Sequence, residues 1–201
     1  MNYVEVEAKF YMPDLEAVKT RLVEVGAELT VPRVYERNVR YENAEKSLTE
    51  QGIVVRLRQD NRVRLTYKEP AAQTDERVST RFEAEVDVSD FTTMDLILGK
   101  LGFGPYLIYE KYRTTYELNH AEILLDELPY GNFVEIEGEL EAIHALIQTL
   151  GFEDAKSFTS NYMTLFDNVR HNMNLEFNDL TYDNFAGITV LPDAFEPAGD
   201  N

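Results

Sequence analysis

Glu5, Glu7 and Lys9 occupy every second position near the start of the chain, and Val4, Val6, Ala8 and Phe10 fill the positions around them. Alternate side chains of a strand point to opposite faces, so this segment carries charge on one face and apolar residues on the other. The same period recurs. It gives Arg56 and Arg58; Arg64, Thr66 and Lys68; Arg81, Glu83, Glu85 and Asp87; Lys111, Arg113, Thr115 and Glu117; Glu122 and Asp126; and Glu135, Glu137 and Glu139. Val55, Leu57, Val63, Leu65, Phe82, Val86, Ile123, Leu125, Val134 and Ile136 take the opposite face.

The residue types limit the chemistry. Arg forks match phosphate oxygens in two-point contacts. Carboxylates without His or Cys suit Mg²⁺ or Mn²⁺, which prefer oxygen ligands. Lys9, Arg56, Arg58, Arg64, Lys68, Arg81, Lys111 and Arg113 share the charged face, 8 of the chain's 19 basic residues. A solvated face of an antiparallel sheet is the plainer reading. Two features weigh against it: the face uses Glu and Arg with little dilution, and there are enough helices to cover the apolar side. The charged face then closes on itself as a barrel or tunnel. Inward Arg and Glu are costly unless they are paired or hold ligands.

The elements that would position these residues follow from period and punctuation. Strands are expected at 3–11, 35–42, 53–59, 62–68, 79–88, 107–118, 121–128 and 133–140. Asp60-Asn61 and Asn119-His120 read as hairpin turns, and 69–78, with Pro70, as a loop. Helices are expected from Leu15 to a stop at Gly26, at 44–51, 90–101, 141–150 and 157–169. In 35–42, Arg37 and Arg40 point to opposite faces, and Arg40 with Asn38 is the better candidate for the lumen. The segment after about 171 is rich in Asn and Asp; it reads as an extension packed on the domain through Phe177 and Tyr182, with a frayed end.

Composition excludes several classes. The 201 residues include 37 acidic and 19 basic ones, a net charge of −18, which argues against a nucleic-acid partner. There is no cysteine, hence no disulfide framework or thiolate metal site. His120, His144 and His171 are too scattered for a His-based metal site. No signal peptide is read at the start, and no apolar run approaches the roughly 20 residues of a membrane span. The expectation is a cytoplasmic protein without a membrane partner, with homodimerisation left open.

At this point the chain resembles the CYTH superfamily, the triphosphate tunnel metalloenzymes. VEVEAKF matches its E-x-E-x-K signature, and VVRLRQ, RLTYKEP, RFEAEVDV, YEKYRTTYEL, LLDELPYGNFVEIEG and KSFTSNYMTLF follow in the family's order, covering about residues 1–168. The resemblance implies an α+β fold: an eight-stranded antiparallel β-barrel with a charged lumen and helices packed outside. It implies a tunnel domain over 1–170, an acidic extension over 171–201, and a small-molecule triphosphate substrate held with a divalent metal. Glu5, Glu7 and Glu137 resemble the metal ligands, with Glu135 beside them. Lys9, Arg56, Arg58, Arg64, Lys68, Lys111 and Arg113 resemble the substrate-binding bases. Glu83, Glu85 and Asp126, with Lys9, look like catalytic lumen positions. Lys156 is similar to a base that closes over the substrate in some members.

Three activities fit the resemblance: a triphosphatase acting on inorganic triphosphate, thiamine triphosphate or nucleoside triphosphates; a class IV adenylate cyclase; and a non-catalytic polyphosphate-binding module. Tyr41, Tyr67, Tyr130 and Phe133 are the aromatics that could stack on a base, though packing is the commoner use of such residues.

Overall fold

The computed structural model describes residues 3–72 and 75–197. Positions 73 and 74 of the expected 69–78 loop, and the expected frayed end at 198–201, lie outside the described residues.

Eight strands close an antiparallel barrel: β1 (Val4–Tyr11), β2 (Glu28–Glu42), β3 (Val54–Gln59), β4 (Val63–Pro70), β5 (Ser79–Val88), β6 (Gly104–Leu118), β7 (Ala121–Leu128) and β8 (Gly131–Glu137). The order runs β5-β4-β3-β2-β6-β7-β8-β1, and β1 pairs with β5 to shut the ring. Five α-helices accompany it among the described residues: α1 (Leu15–Glu24), α2 (Ser47–Glu50), α3 (Phe91–Lys100), α4 (Leu140–Leu150) and α5 (Tyr162–Met173). None is long and apolar enough to cross a membrane.

Alternation builds the barrel wall. Ala8, Phe10, Ile123, Leu125, Val134 and Ile136 face outward and pack under Leu15, Val18 and Leu22 of α1 and Ile143, Leu146 and Ile147 of α4. Asp14 caps α1 by accepting from the backbone N–H of Glu16 and Ala17. Val39, Tyr41 and Leu57 face outward on the far side and pack with Leu98 of α3. With both outer flanks covered by helices, the charged face has nowhere to go but inward. At the β6–β7 hairpin, Asn119 and His120 both take positive φ (53° and 64°), the backbone of a type I′ turn.

Three elements differ from the sequence reading. β2 starts at Glu28, not 35, because register shifts around Pro32 break the period of two that marks a strand. β6 likewise starts earlier, at Gly104. The expected helix over 157–169 is a two-residue strand, β9 (Ser157–Phe158), paired with Lys9 and Phe10, and only then α5, capped by Asn161.

The C-terminal segment packs onto the barrel. Phe177, Leu180, Phe185 and Phe195 join Leu107, Tyr109, Leu128, Tyr130, Phe133, Tyr162, Phe166 and Val169 in one apolar cluster. Phe133 pairs with Asp126 on the inner face, so this cluster fills one end of the tunnel. Pro192–Phe195 forms a 3₁₀ turn that seats Phe195 against Tyr11, Tyr130 and Phe133.

Candidate active site

The lumen is a cavity of about 650 Å³ lined by all eight strands and by Asn161, Tyr162 and Met163 at the start of α5. Of the predicted residues, Glu5, Glu7, Lys9, Arg56, Arg58, Arg64, Lys68, Glu83, Glu85, Lys111, Arg113, Glu135 and Glu137 line it. Asp126 lies behind this lining, fully buried, and bonds to its bases. Arg40 and Arg81 also reach the lumen. Arg37 instead lies 5.8 Å from the Phe91 ring, on the outer side.

One group of carboxylates converges. Glu5, Glu7 and Glu137 bring ligand oxygens within 4.8 Å of one another. Glu7 and Glu137 are directly opposed across β1 and β8, where like charges repel. Burial pushes the Glu137 carboxyl up to about 8; Glu5, Glu135 and Glu7 add to this while Arg113 opposes it. Burial raises Glu5 as well, against Lys68. This donor set is short of positive charge and offers only oxygen, so it fits a hard divalent cation such as Mg²⁺ or Mn²⁺. Glu135 stands apart from the trio: its oxygens meet Arg113 at 2.6 Å and Lys9 at 3.2 Å.

The bases form a linked network. Lys9 lies between Glu7 (3.1 Å) and Glu135 (3.2 Å) and donates to the Ser160 carbonyl. Burial opposes its charge, but the two carboxylates outweigh burial and raise its pKa. Lys68 joins Glu5 (2.6 Å) and Glu83 (2.7 Å). Arg113 forks Asp126 through two bonds of 2.6 Å, and Lys111 bonds the same carboxylate at 2.9 Å. Arg58 meets Glu85 at 2.9 Å, and Arg64 pairs with Asp60 and Glu85.

Arg58 opposes Arg64 across β3 and β4, and Arg56 opposes Arg40 across β3 and β2. Burial and Arg56 pull the Arg58 guanidinium down, against Glu36 and Glu85. The Nε–H groups of Arg56, Arg58 and Arg64 are buried without a partner. Crowded guanidinium groups with spare donors are what a multiply charged anion would relieve.

Lys156 is not among the lumen-lining residues. Its ammonium donates to the Pro192 carbonyl at 2.9 Å and pairs with Glu196 at 2.6 Å, so the C-terminal segment holds it away from the lumen. The four aromatics considered for base stacking pack elsewhere. Tyr41 donates to Asp95 on α3, Tyr67 packs on Phe82, and Tyr130 and Phe133 belong to the apolar end cluster.

Sequence reasoning missed Glu36, Tyr109 and Tyr162. Glu36 faces Arg58 at 3.5 Å and Lys111 at 3.8 Å; burial opposes ionisation, but Lys111, Arg113 and Arg58 prevail and hold it at about 2. Its spacing from Asn38 and Arg40 was a readable signal. Tyr109 stands two positions before Lys111, and its hydroxyl accepts from Arg56 at 3.1 Å. Tyr162 comes from α5 and had no strand period to announce it.

A closed antiparallel barrel charged inside and apolar outside, with a carboxylate cradle facing a wall of bases, defines a tunnel fold with a charged lumen. The chain belongs to the CYTH domain family, whose sequence model matches residues 4–157. A candidate adenylate cyclase of Methanocaldococcus jannaschii is 27% identical over 143 residues, spanning 70% of this chain and 80% of that protein. A solved candidate adenylate cyclase from Vibrio parahaemolyticus superposes with a TM-score of 0.70 at 19% identity, covering 81% of this chain and 97% of that one. A Pyrococcus horikoshii OT3 protein superposes at 0.64 with 26% identity, covering 79% and 95%. A candidate adenylyl cyclase from Hippeastrum, reported with a dominant triphosphatase activity, superposes at 0.59 with 17% identity over 94% and 98%.

Proposed function

We propose that the protein is a divalent-metal-dependent hydrolase of triphosphate substrates. The observation that carries this reading is the pairing of two unbalanced groups in one lumen. Glu5, Glu7 and Glu137 converge with only Lys68 and Lys9 beside them, each shared with a further carboxylate, and Arg56, Arg58 and Arg64 hold spare buried donors. A triphosphate carrying a divalent cation balances both.

The bound cation would supply charge neutralisation on the phosphate oxygens and a polarised water. The chain's own residues do the rest. Arg56, Arg58, Arg64 and Arg113 present fixed donors to the phosphate chain, and Lys9, Lys68 and Lys111 add point charge where the leaving group gains negative charge. Glu83 and Glu85 are held below the usual carboxylate range, burial opposing and Lys68 or Arg58 prevailing. They therefore orient the bases and a water through charge and hydrogen bonds, and are poor proton acceptors near neutral pH. Asp126 fixes Lys111 and Arg113 from behind.

A class IV adenylate cyclase is the second reading, favoured by the name of the Methanocaldococcus relative. Hydrolysis is preferred because the aromatics that could grip a purine pack elsewhere, while Tyr109 and Tyr162 in the lumen are committed to Arg56 and Asp126. The test offers inorganic triphosphate, thiamine triphosphate and ATP with Mg²⁺ or Mn²⁺, and follows phosphate, pyrophosphate and cyclic AMP together. Phosphate release as the main reaction is expected. Cyclic AMP as the dominant product from ATP would replace the first reading with the second, and no turnover with any substrate would remove both.

A further inference from the structure

The long arm formed by β2 and β6 carries two bulges. Leu29 pairs with Tyr116, Val31 with Thr115 and Val34 with Arg113, so β2 spends one extra residue in each interval. In a regular strand, positions 31 and 34 face opposite sides. Here the extra residue turns both onto the lumen, and Val31 and Val34 both line the cavity. Bulges beside active sites re-aim side chains in this way. Thr115 pairs with Val31 on one side and Leu124 on the other, so Val31, Thr115 and Leu124 form a continuous row across three strands. The rest of this wall is charged: Arg113, Glu122 and Glu135 surround the row.

The bulge is clamped from outside the barrel. Pro32, at its centre, has no N–H to donate to the ladder. Arg33 forks the Glu127 carboxylate at 2.8 and 2.9 Å and lies 3.4 Å from the centre of the Tyr112 ring. Tyr182, from the C-terminal segment, packs on the same ring at 5.5 Å and donates to the Glu127 carbonyl at 2.6 Å. An exposed ion pair alone is worth little, but a bidentate fork stacked on an aromatic ring has defined geometry.

We propose that Val31, Val34, Thr115 and Leu124 bind the organic group of a triphosphate monoester, a ring system of low polarity carried on the phosphate chain. Arg33 is the positioning residue that keeps the bulge aimed inward. The inference rests on the triphosphate reading of the lumen and narrows it: inorganic triphosphate fills the charged part of the site and leaves the aliphatic row wet, whereas an ester uses both.

The test measures kcat/KM of the full chain with Mn²⁺ for inorganic triphosphate, ATP and thiamine triphosphate. Phosphate and pyrophosphate release are summed, so hydrolysis and cyclisation are read alike. One ester is expected to exceed inorganic triphosphate by about tenfold or more, the scale on which apolar pockets discriminate. The isosteric pair Val31→Thr with Val34→Thr should lower the ester-to-inorganic ratio about tenfold, chiefly through KM of the ester. Arg33→Gln, outside the lumen, should lower the ratio in the same direction. Equal use of inorganic triphosphate and both esters by the wild type, or an unchanged ratio in Arg33→Gln, overturns the proposal. If the Thr pair does not fold, the wild-type ratio and Arg33→Gln still decide. No turnover of any triphosphate would fail the reading of the lumen itself, and this inference with it.

Discussion

The Tyr162 hydroxyl donates to Asp126 Oδ2 at 2.8 Å, and its ring lies 4.5 Å from the Lys9 ammonium and 5.4 Å from that of Lys111. A residue beyond the segment that the family model matches thus sits at the centre of the predicted base cluster. Tyr162→Phe keeps the ring but takes one donor from a buried carboxylate that retains Arg113 and Lys111. The expected cost is about 1–2 kcal/mol, read from urea unfolding, with a higher KM for a triphosphate. Tyr162→Leu should raise KM further, because both lysines then lose the ring face.

Glu137 provides a signed pH test. Its folded carboxyl lies at about 8, above the ordinary value of 4.5, so the folded metal-free protein binds the proton that the unfolded chain has lost. Stability therefore falls as pH rises from about 4.5 to 8. Glu137→Gln removes that penalty and should stabilise the metal-free protein at pH 7 by on the order of 3 kcal/mol, seen as a higher Tm. The same variant should weaken Mn²⁺ binding by calorimetry. In the wild type, Mn²⁺ affinity should rise with pH until about 8, as the proton ceases to compete.

Glu36 has the opposite sign. Its carboxyl is held at about 2, below the ordinary value, so it contributes stability above pH 4.5 that is lost as pH falls towards 2. Glu36→Gln should cost on the order of 3 kcal/mol at pH 7, and the gap from wild type should narrow to about 1 kcal/mol by pH 3. Paired urea titrations at the two pH values would show it. An equal gap at both would mean that Arg58 and Lys111 do not hold the ionised form.

Lys9→Ala tests binding and stability at once. Lys9 is only 2% exposed and neutralises Glu7 and Glu135 together. Its removal leaves buried carboxylates short of a cation, at a cost of about 3–5 kcal/mol, so this variant should lose both turnover and stability. Glu7→Gln should abolish turnover with the fold retained, since it relieves like charge beside Glu137. Full activity with Mn²⁺ in Glu7→Gln would remove Glu7 from the cation site.

The charged face was legible because a strand writes its two faces into the sequence at a fixed period. That let Glu5, Glu7 and Lys9 be grouped with Glu137 and Arg113, more than 100 positions away, before any pairing was known. Legibility failed where the period fails. The bulges flanking Pro32 shift the alternation, so Glu28–Val34 reads as a connection and not as half of an arm. Tyr162 answers to helix geometry and to packing at the barrel end, and neither leaves a mark in a strand pattern. Lys156 had suitable chemistry, but its direction is set by Pro192 and Glu196, residues the segment beside it does not specify.

The aromatic cluster around Phe133 and Phe195 makes the lumen a blind tube. Whatever enters must leave by the way it came, and on the proposed reading the phosphate at the leading end would stop against Lys9 and Tyr162. Such a tube acts as a ruler: it registers chain length by depth, and a phosphate chain too long for it leaves its trailing part in water. If the proposed cleavage occurs there, release would be ordered as well, because the deepest fragment could not depart until the shallower one had cleared the mouth.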